Sequence, residues 1–151
     1  MVERVVALDV GIKYVGIAVT DPTWNFPVVL GTLMRKDSIT DDLRRLREML
    51  DFDVAAITLG YPLRADGSEG SFTPVVRGFE RRLKELFPEV PFFRTDEFQS
   101  SNEAVGIKKA HGKSYEKIKK SGAIDSAAAA VILERFMATK DFINLKKERN
   151  L

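Results

Sequence analysis

Residues 5–19, VVALDVGIKYVGIAV, contain two apolar runs separated by a short turn, and a single acidic residue, Asp9. Runs this rich in Val, Ala and Ile suit strands covered on both faces rather than half-exposed ones. Residues 4–9 and 14–20 therefore read as two strands joined by the glycine- and lysine-containing turn VGIK. A buried carboxylate is costly unless it is paired or holds a cation. Asp9 thus either faces solvent at the end of its strand or meets something positive there.

Working outward, residues 28–34 form a third strand after the loop DPTWNFP, and the short connections make the three an antiparallel meander. SITDDLRRLREML reads as a helix with Ser38 as N-cap, Asp41 three residues on, and a stripe of Ile39, Leu43, Leu46 and Leu50. A buried-type strand follows at 54–60, then the long loop YPLRADGSEGS, in which Asp66-Gly67 is a turn pair. The spacing of Val75, Phe79, Leu83 and Leu86 predicts a helix over 74–87, and VPFFRTD predicts a fifth strand over 90–96. Ser100 and Glu103 form a second capping-box pattern, and AIDSAAAAVILERFMA is the strongest helix in the chain. Charged residues 141–151 read as a basic, partly disordered tail to a single domain over 1–140.

This element order predicts an α/β fold: a mixed five-stranded sheet with helices on both faces. Strands one, four and five run parallel, because helices connect the later ones and crossovers are right-handed. Functional groups in such sheets gather beyond the carboxyl ends of the parallel strands. Three elements bring acids there: Asp9 after strand one, Asp96 and Glu97 after strand five, and Asp125 at the start of the alanine-rich helix. Clustered carboxylates raise one another's pKa, and hard oxygen ligands suit Mg²⁺ or Mn²⁺. Taken singly, each acid also has a plainer reading, as a turn residue or a partner of a helix dipole. Gly11 and Gly16 follow Asp9, and glycine beyond a strand end lets a phosphate approach backbone N–H groups.

Composition narrows the chemistry. The 151 residues contain no cysteine, which excludes disulfides, thiolate metal sites and a cysteine nucleophile. No stretch has the roughly 20 apolar residues that span a bilayer. Met-Val-Glu-Arg runs straight into a strand pattern, so neither a signal peptide nor membrane attachment is expected, and a cytoplasmic protein is. The formal net charge is only +2, but KKAHGKSYEKIKK at 108–120 carries six lysines against one glutamate. That run is either an anion or nucleic-acid footprint or a solvated loop. The single histidine, His111, lies in it and reads as a surface residue.

Four stretches together, LDVGIKYVGIAVTDP, TLGYPLRADGSEG, TDEFQSSNEA and IDSAAAAVIL, make the chain similar to one family over nearly its whole length. It resembles the YqgF, or RuvX, family, described as Holliday junction resolvases and as pre-16S rRNA nucleases. The resemblance implies a ribonuclease H-like fold related to the junction resolvase RuvC, with strand order 3-2-1-4-5. It implies a carboxylate site for divalent metal at Asp9, Glu97 and Asp125, serving as both catalytic and metal-binding residues. The expected substrate is pre-16S rRNA or branched DNA, handled by a monomer or weak homodimer, with Gly11, Lys13, Arg64, Lys113, Lys117, Lys119 and Lys120 on the nucleic acid. Two positions depart from the family pattern: Phe98 stands where an arginine follows the Asp-Glu pair, and Arg64 where asparagine is common. The alternative reading is a binding factor for ribosome maturation or transcription that does not cut; a weaker one is the phosphate loop of an actin-like ATPase or sugar kinase, which needs two such domains.

Overall fold

The computed structural model describes residues 2–64, 66–96 and 123–151, with side chains of the last segment from Ser126 onward. Strands β1 (Glu3–Val10), β2 (Tyr14–Thr20), β3 (Pro27–Met34), β4 (Asp53–Tyr61) and β5 (Phe92–Asp96) form one sheet in the order β3-β2-β1-β4-β5. Helices α1 (Ile39–Met49) and α2 (Thr73–Leu86) precede and follow β4 in the chain, and α3 (Ala123–Met137) and α4 (Lys140–Glu148) end it. β1 is antiparallel to β2 and parallel to β4, β2 is antiparallel to β3, and β4 is parallel to β5. This is the mixed sheet and strand order that the resemblance implies.

The central strands are apolar throughout because each face has its own helical layer. Alternate side chains Val6, Leu8 and Val10 of β1 join Ile17, Ile57 and Leu59 in a core closed by Leu43 and Leu46 of α1 and Phe79 and Leu83 of α2. Val5 and Ala7 point the other way, joining Ala18, Ala55 and Ala56 beneath Ala129, Ile132, Leu133 and Phe136 of α3. Small residues on both sides of this second interface let α3 lie close to the sheet, as the alanine run predicts.

At the start of α1, Ser38 caps the helix: its hydroxyl oxygen accepts from the N–H of Asp41 at 3.3 Å. In α2 the inward residue is Val76, fully buried, and not Val75, which is 42% exposed. The stripe read from the sequence is therefore off by one residue at its N-terminal end, where Thr73 also turns inward and its hydroxyl donates to the Pro62 carbonyl at 2.9 Å. The helix expected to follow Ser100 lies outside the described residues.

The largest correction concerns the tail. Residues 140–148 are helical, not disordered, because Phe142 and Leu145 share one face and are buried against Trp24 and Phe136. Trp24, in the loop between β2 and β3, is 1% exposed, and its indole N–H donates to the Glu3 carbonyl at 2.9 Å. Its backbone is left-handed (φ 60°). Asp21 holds this loop: its carboxylate accepts from the N–H groups of Asn25 and Phe26 at 2.7 Å each and of Thr23 at 3.1 Å, and from the Thr23 hydroxyl. Burial pushes the Asp21 carboxyl up, but these donors outweigh it and hold the pKa at about 2. No described helix is long and apolar enough to cross a membrane.

On the α2 side, Glu80 is buried and accepts two hydrogen bonds from Arg94 of β5, Nε at 3.1 Å and Nη2 at 2.8 Å. The Arg94 guanidinium lies 4.3 Å from the Tyr61 ring centre and holds the Glu80 carboxyl below its usual range, while Glu80 raises Arg94. Arg94→Ala leaves that carboxylate with Lys84 at 3.9 Å as its remaining ion-pair partner among the described residues. Because Arg94 is half exposed, the expected loss is about 2 kcal/mol rather than the 3–5 of a fully buried pair. Because the folded Glu80 pKa is depressed, this stabilisation is present above the unfolded carboxylate pKa and fades as pH falls through the folded one. Urea unfolding over a falling pH series from pH 7 checks both statements: the gap between wild type and variant should narrow as the pH falls.

Candidate active site at the carboxyl edge of the sheet

β1 and β4 run parallel, so the end of β1 and the loop after β4 meet at one edge of the sheet. Asp9 is the penultimate residue of β1 and is 7% exposed. By strand alternation its side chain is on the face of Val5 and Ala7, under α3. Its antiparallel partner is Gly16, which has no side chain to fill the space beside the carboxylate. Ser126, Ala127 and Ala128, near the beginning of α3, are buried. A helix with these small residues can run close to the end of β1.

Polar groups continue across the sheet. Thr58 of β4 and Thr95 of β5 are buried and share an Oγ1–Oγ1 hydrogen bond of 2.7 Å. Thr58 is opposite Ala7 in the β1–β4 register. That bond satisfies two hydroxyls and fastens β5 to β4 one residue before Asp96, where β5 ends. The Asp96 carbonyl accepts from Arg135 Nη1 of α3 at 3.0 Å, which ties the helix to this end of β5.

Of the acids expected at this edge, Asp9 and Asp96 are within the described residues. Glu97 lies outside them, as does the side chain of Asp125, whose backbone belongs to the first turn of α3. Among the described residues no group of three metal-ligating side chains assembles, since one member of the expected trio is described. Gly11 opens the turn after β1, its N–H donating to the Tyr14 carbonyl at 2.8 Å. Lys13 is exposed in the same turn, with its ammonium 5.6 Å from the Tyr14 ring centre. Arg64 is exposed in the loop after β4, where its N–H donates to the Ser68 carbonyl at 2.8 Å. Asp66 shapes that loop by accepting from the Ser68 N–H and hydroxyl, and Gly67 takes the left-handed φ of 85°. Lys113, Lys117, Lys119, Lys120, His111 and Phe98 lie outside the described residues.

A family model described as "RuvX: Holliday junction resolvase" matches residues 3–139. The chain belongs to that family. Among curated relatives it is 39% identical to a "Putative pre-16S rRNA nuclease" of Chlorobium luteolum, over 89% of this chain and 93% of the relative. A protein of the same name from Salinibacter ruber is 38% identical over 89% and 92% of the two chains, and one from Lactobacillus johnsonii 31% over 89% and 94%. The RuvX match ends at residue 139, immediately before α4. In this RuvX chain the sheet, β1 with Asp9 and the backbone of α3 are thus all within the matched residues.

Arg35, Asp42 and the Thr58–Thr95 pair carry no motif or periodicity that marks them in the sequence. Asp42 is fully buried and accepts from the Lys36 N–H at 2.9 Å and from Arg45 Nη2. It had been hidden as one of two adjacent acids in the first turn of a helix, a position that acids occupy for the dipole alone.

Proposed function

We propose that this chain is a metal-dependent endonuclease that hydrolyses phosphodiesters in structured nucleic acid, either pre-16S rRNA at its 5′ end or a branched DNA junction. The observation that carries this reading is Asp9: a nearly buried carboxylate at the carboxyl end of a central parallel strand, in a RuvX-family sheet. Asp9, Glu97 and Asp125 are the proposed ligands for Mg²⁺ or Mn²⁺, and the donor chemistry fits, since a carboxylate is a hard oxygen ligand. A bound divalent cation supplies a water of lowered pKa and charge stabilisation for the leaving oxygen.

The chain's own residues do the rest. Asp9 fixes one oxygen donor on the rigid strand, a more exact placement than a loop would give. The Gly11 turn lets a phosphate come close to backbone. Lys13 and Arg64 add positive charge, and Lys113, Lys117, Lys119 and Lys120 are the proposed phosphate contacts of the basic run. One nuclease domain over residues 1–140 contains every proposed site residue. Phe98, in place of the family's arginine, favours a second reading as a binding factor that does not cut, because a guanidinium able to hold phosphate is absent at that position.

Incubating the protein with a labelled four-way DNA junction and with a pre-16S rRNA fragment decides between them. Cleavage in Mg²⁺ that EDTA abolishes is the expected outcome, and the nucleic acid that is cut names the substrate. Tight binding of either one with no cleavage in Mg²⁺ or Mn²⁺ overturns the nuclease reading in favour of the binding factor. Affinity should also fall steeply with salt, and replacing Lys117, Lys119 and Lys120 by Ala should flatten that slope.

A further inference from the structure

The turn after Asp9 is held from outside by one residue. Arg35 immediately follows β3, and its N–H donates to the Lys13 carbonyl at 2.7 Å. Its guanidinium reaches back across the hairpin, where Nη1 donates to the Gly11 carbonyl at 3.0 Å. Two of the three carbonyls from Gly11 to Lys13 are thereby held by one residue.

Arg35 is itself fixed on the α1–α2 face. Its guanidinium lies 5.4 Å from the Phe79 ring centre of α2, and Nε is 3.7 Å from Oδ2 of the fully buried Asp42 of α1. Asp42 is anchored in turn by the Lys36 N–H and by Arg45, whose Nη2 also donates to the Met34 carbonyl at 3.0 Å. A guanidinium held by a buried carboxylate and an aromatic face has little rotamer freedom left, so it can act as a fixed donor.

A trans peptide aims its C=O and N–H in opposite directions, and the described residues contain no cis bond. With the Gly11 carbonyl drawn towards Arg35, the N–H of Ile12 in the same peptide points away from that guanidinium. Ile12 itself is 81% exposed, at the tip of this turn. We propose that Arg35 is a positioning residue that sets the Gly11–Ile12 peptide so that the Ile12 N–H donates to a substrate phosphate oxygen beside Asp9. This assignment rests on the nucleic-acid site proposed above and adds to it the device that orients its backbone donor.

The test follows the Ile12 amide by NMR in the full-length, ¹⁵N-labelled protein, titrated with whichever binds the wild type, a DNA hairpin in EDTA or a 2′-O-methyl RNA hairpin in Mg²⁺. The Ile12 resonance should shift in proportion to bound nucleic acid in the wild type, and this response should be lost in Arg35→Gln while affinity changes by less than about threefold. Where cleavage is measurable, Arg35→Gln should lower kcat by about 10–100-fold with KM nearly unchanged, and Arg35→Lys should recover part of it. A wild-type Ile12 amide that ignores bound nucleic acid overturns the proposal, whether or not Arg35→Gln folds. So does a folded Arg35→Gln that cuts at the wild-type rate. If the wild type binds without cutting and Ile12 still responds through Arg35, the nuclease reading fails and the positioning role stands.

Discussion

Asp9→Asn is expected to lower metal-dependent cleavage on the order of 10³-fold with little change in folding stability. The substitution keeps the size of the side chain and its place on β1 and removes one negative charge. A divalent cation held by three carboxylates loses a third of its compensating charge, and the remaining amide oxygen is a weaker donor. A readout independent of turnover distinguishes this from a general defect. Ligand binding to the folded state raises stability by RT ln(1 + [L]/Kd), so Mg²⁺ at ten times its dissociation constant adds about 1.4 kcal/mol. For a domain of this size that is about 3–5 °C in Tm. Wild type should show this rise and Asp9→Asn should not. A variant that cuts normally and melts like the wild type in Mg²⁺ would show that Asp9 is a strand-end residue and nothing more.

Asp9 is also where the sequence is most informative. A single carboxylate inside apolar strands contradicts the local pattern, and such conflicts mark function more often than error. The sheet was legible for the same reason: runs such as VVALDV and VAAITLG leave few alternatives to strands covered on both sides. Arg35 was not legible, because what it binds is a backbone carbonyl 24 positions earlier, and a carbonyl has no letter in the sequence. Nor was α4. Six of its nine residues are polar or charged, and of the three apolar ones Ile143 is exposed, while Phe142 and Leu145 acquire meaning only against Trp24, which is brought to them by the whole sheet. The off-by-one stripe of α2 has a third cause: Val75 and Val76 are chemically identical, so periodicity alone could not choose between them. Glu97 and Asp125 come from element order and the resemblance, the lysines of 108–120 from charge, and all stand as proposals for mutagenesis.

Trp24→Ala is expected to cost about 3–5 kcal/mol, the largest stability loss of any substitution considered. Its ring is 5.8 Å from that of Phe142 and stacked on it, the Arg149 guanidinium is 5.2 Å from the ring centre, and Phe136 packs edge-on against Phe142 at 5.8 Å. Truncation to alanine opens a cavity among these groups and leaves the Glu3 carbonyl without the indole N–H. Trp24→Phe retains most of the stacking and loses the hydrogen bond, so about 1–2 kcal/mol is expected for that change. Urea unfolding gives both values, and limited proteolysis reports whether α4 has come free. The effect should extend to the site, because Phe136 belongs to α3, whose first turn includes Asp125. Cleavage by Trp24→Ala should therefore fail at a lower temperature than wild type while remaining normal well below its melting point. A loss under about 1 kcal/mol, with α4 cut as readily in wild type as in the variant, would instead make residues 141–151 the loose charged tail that their composition suggests.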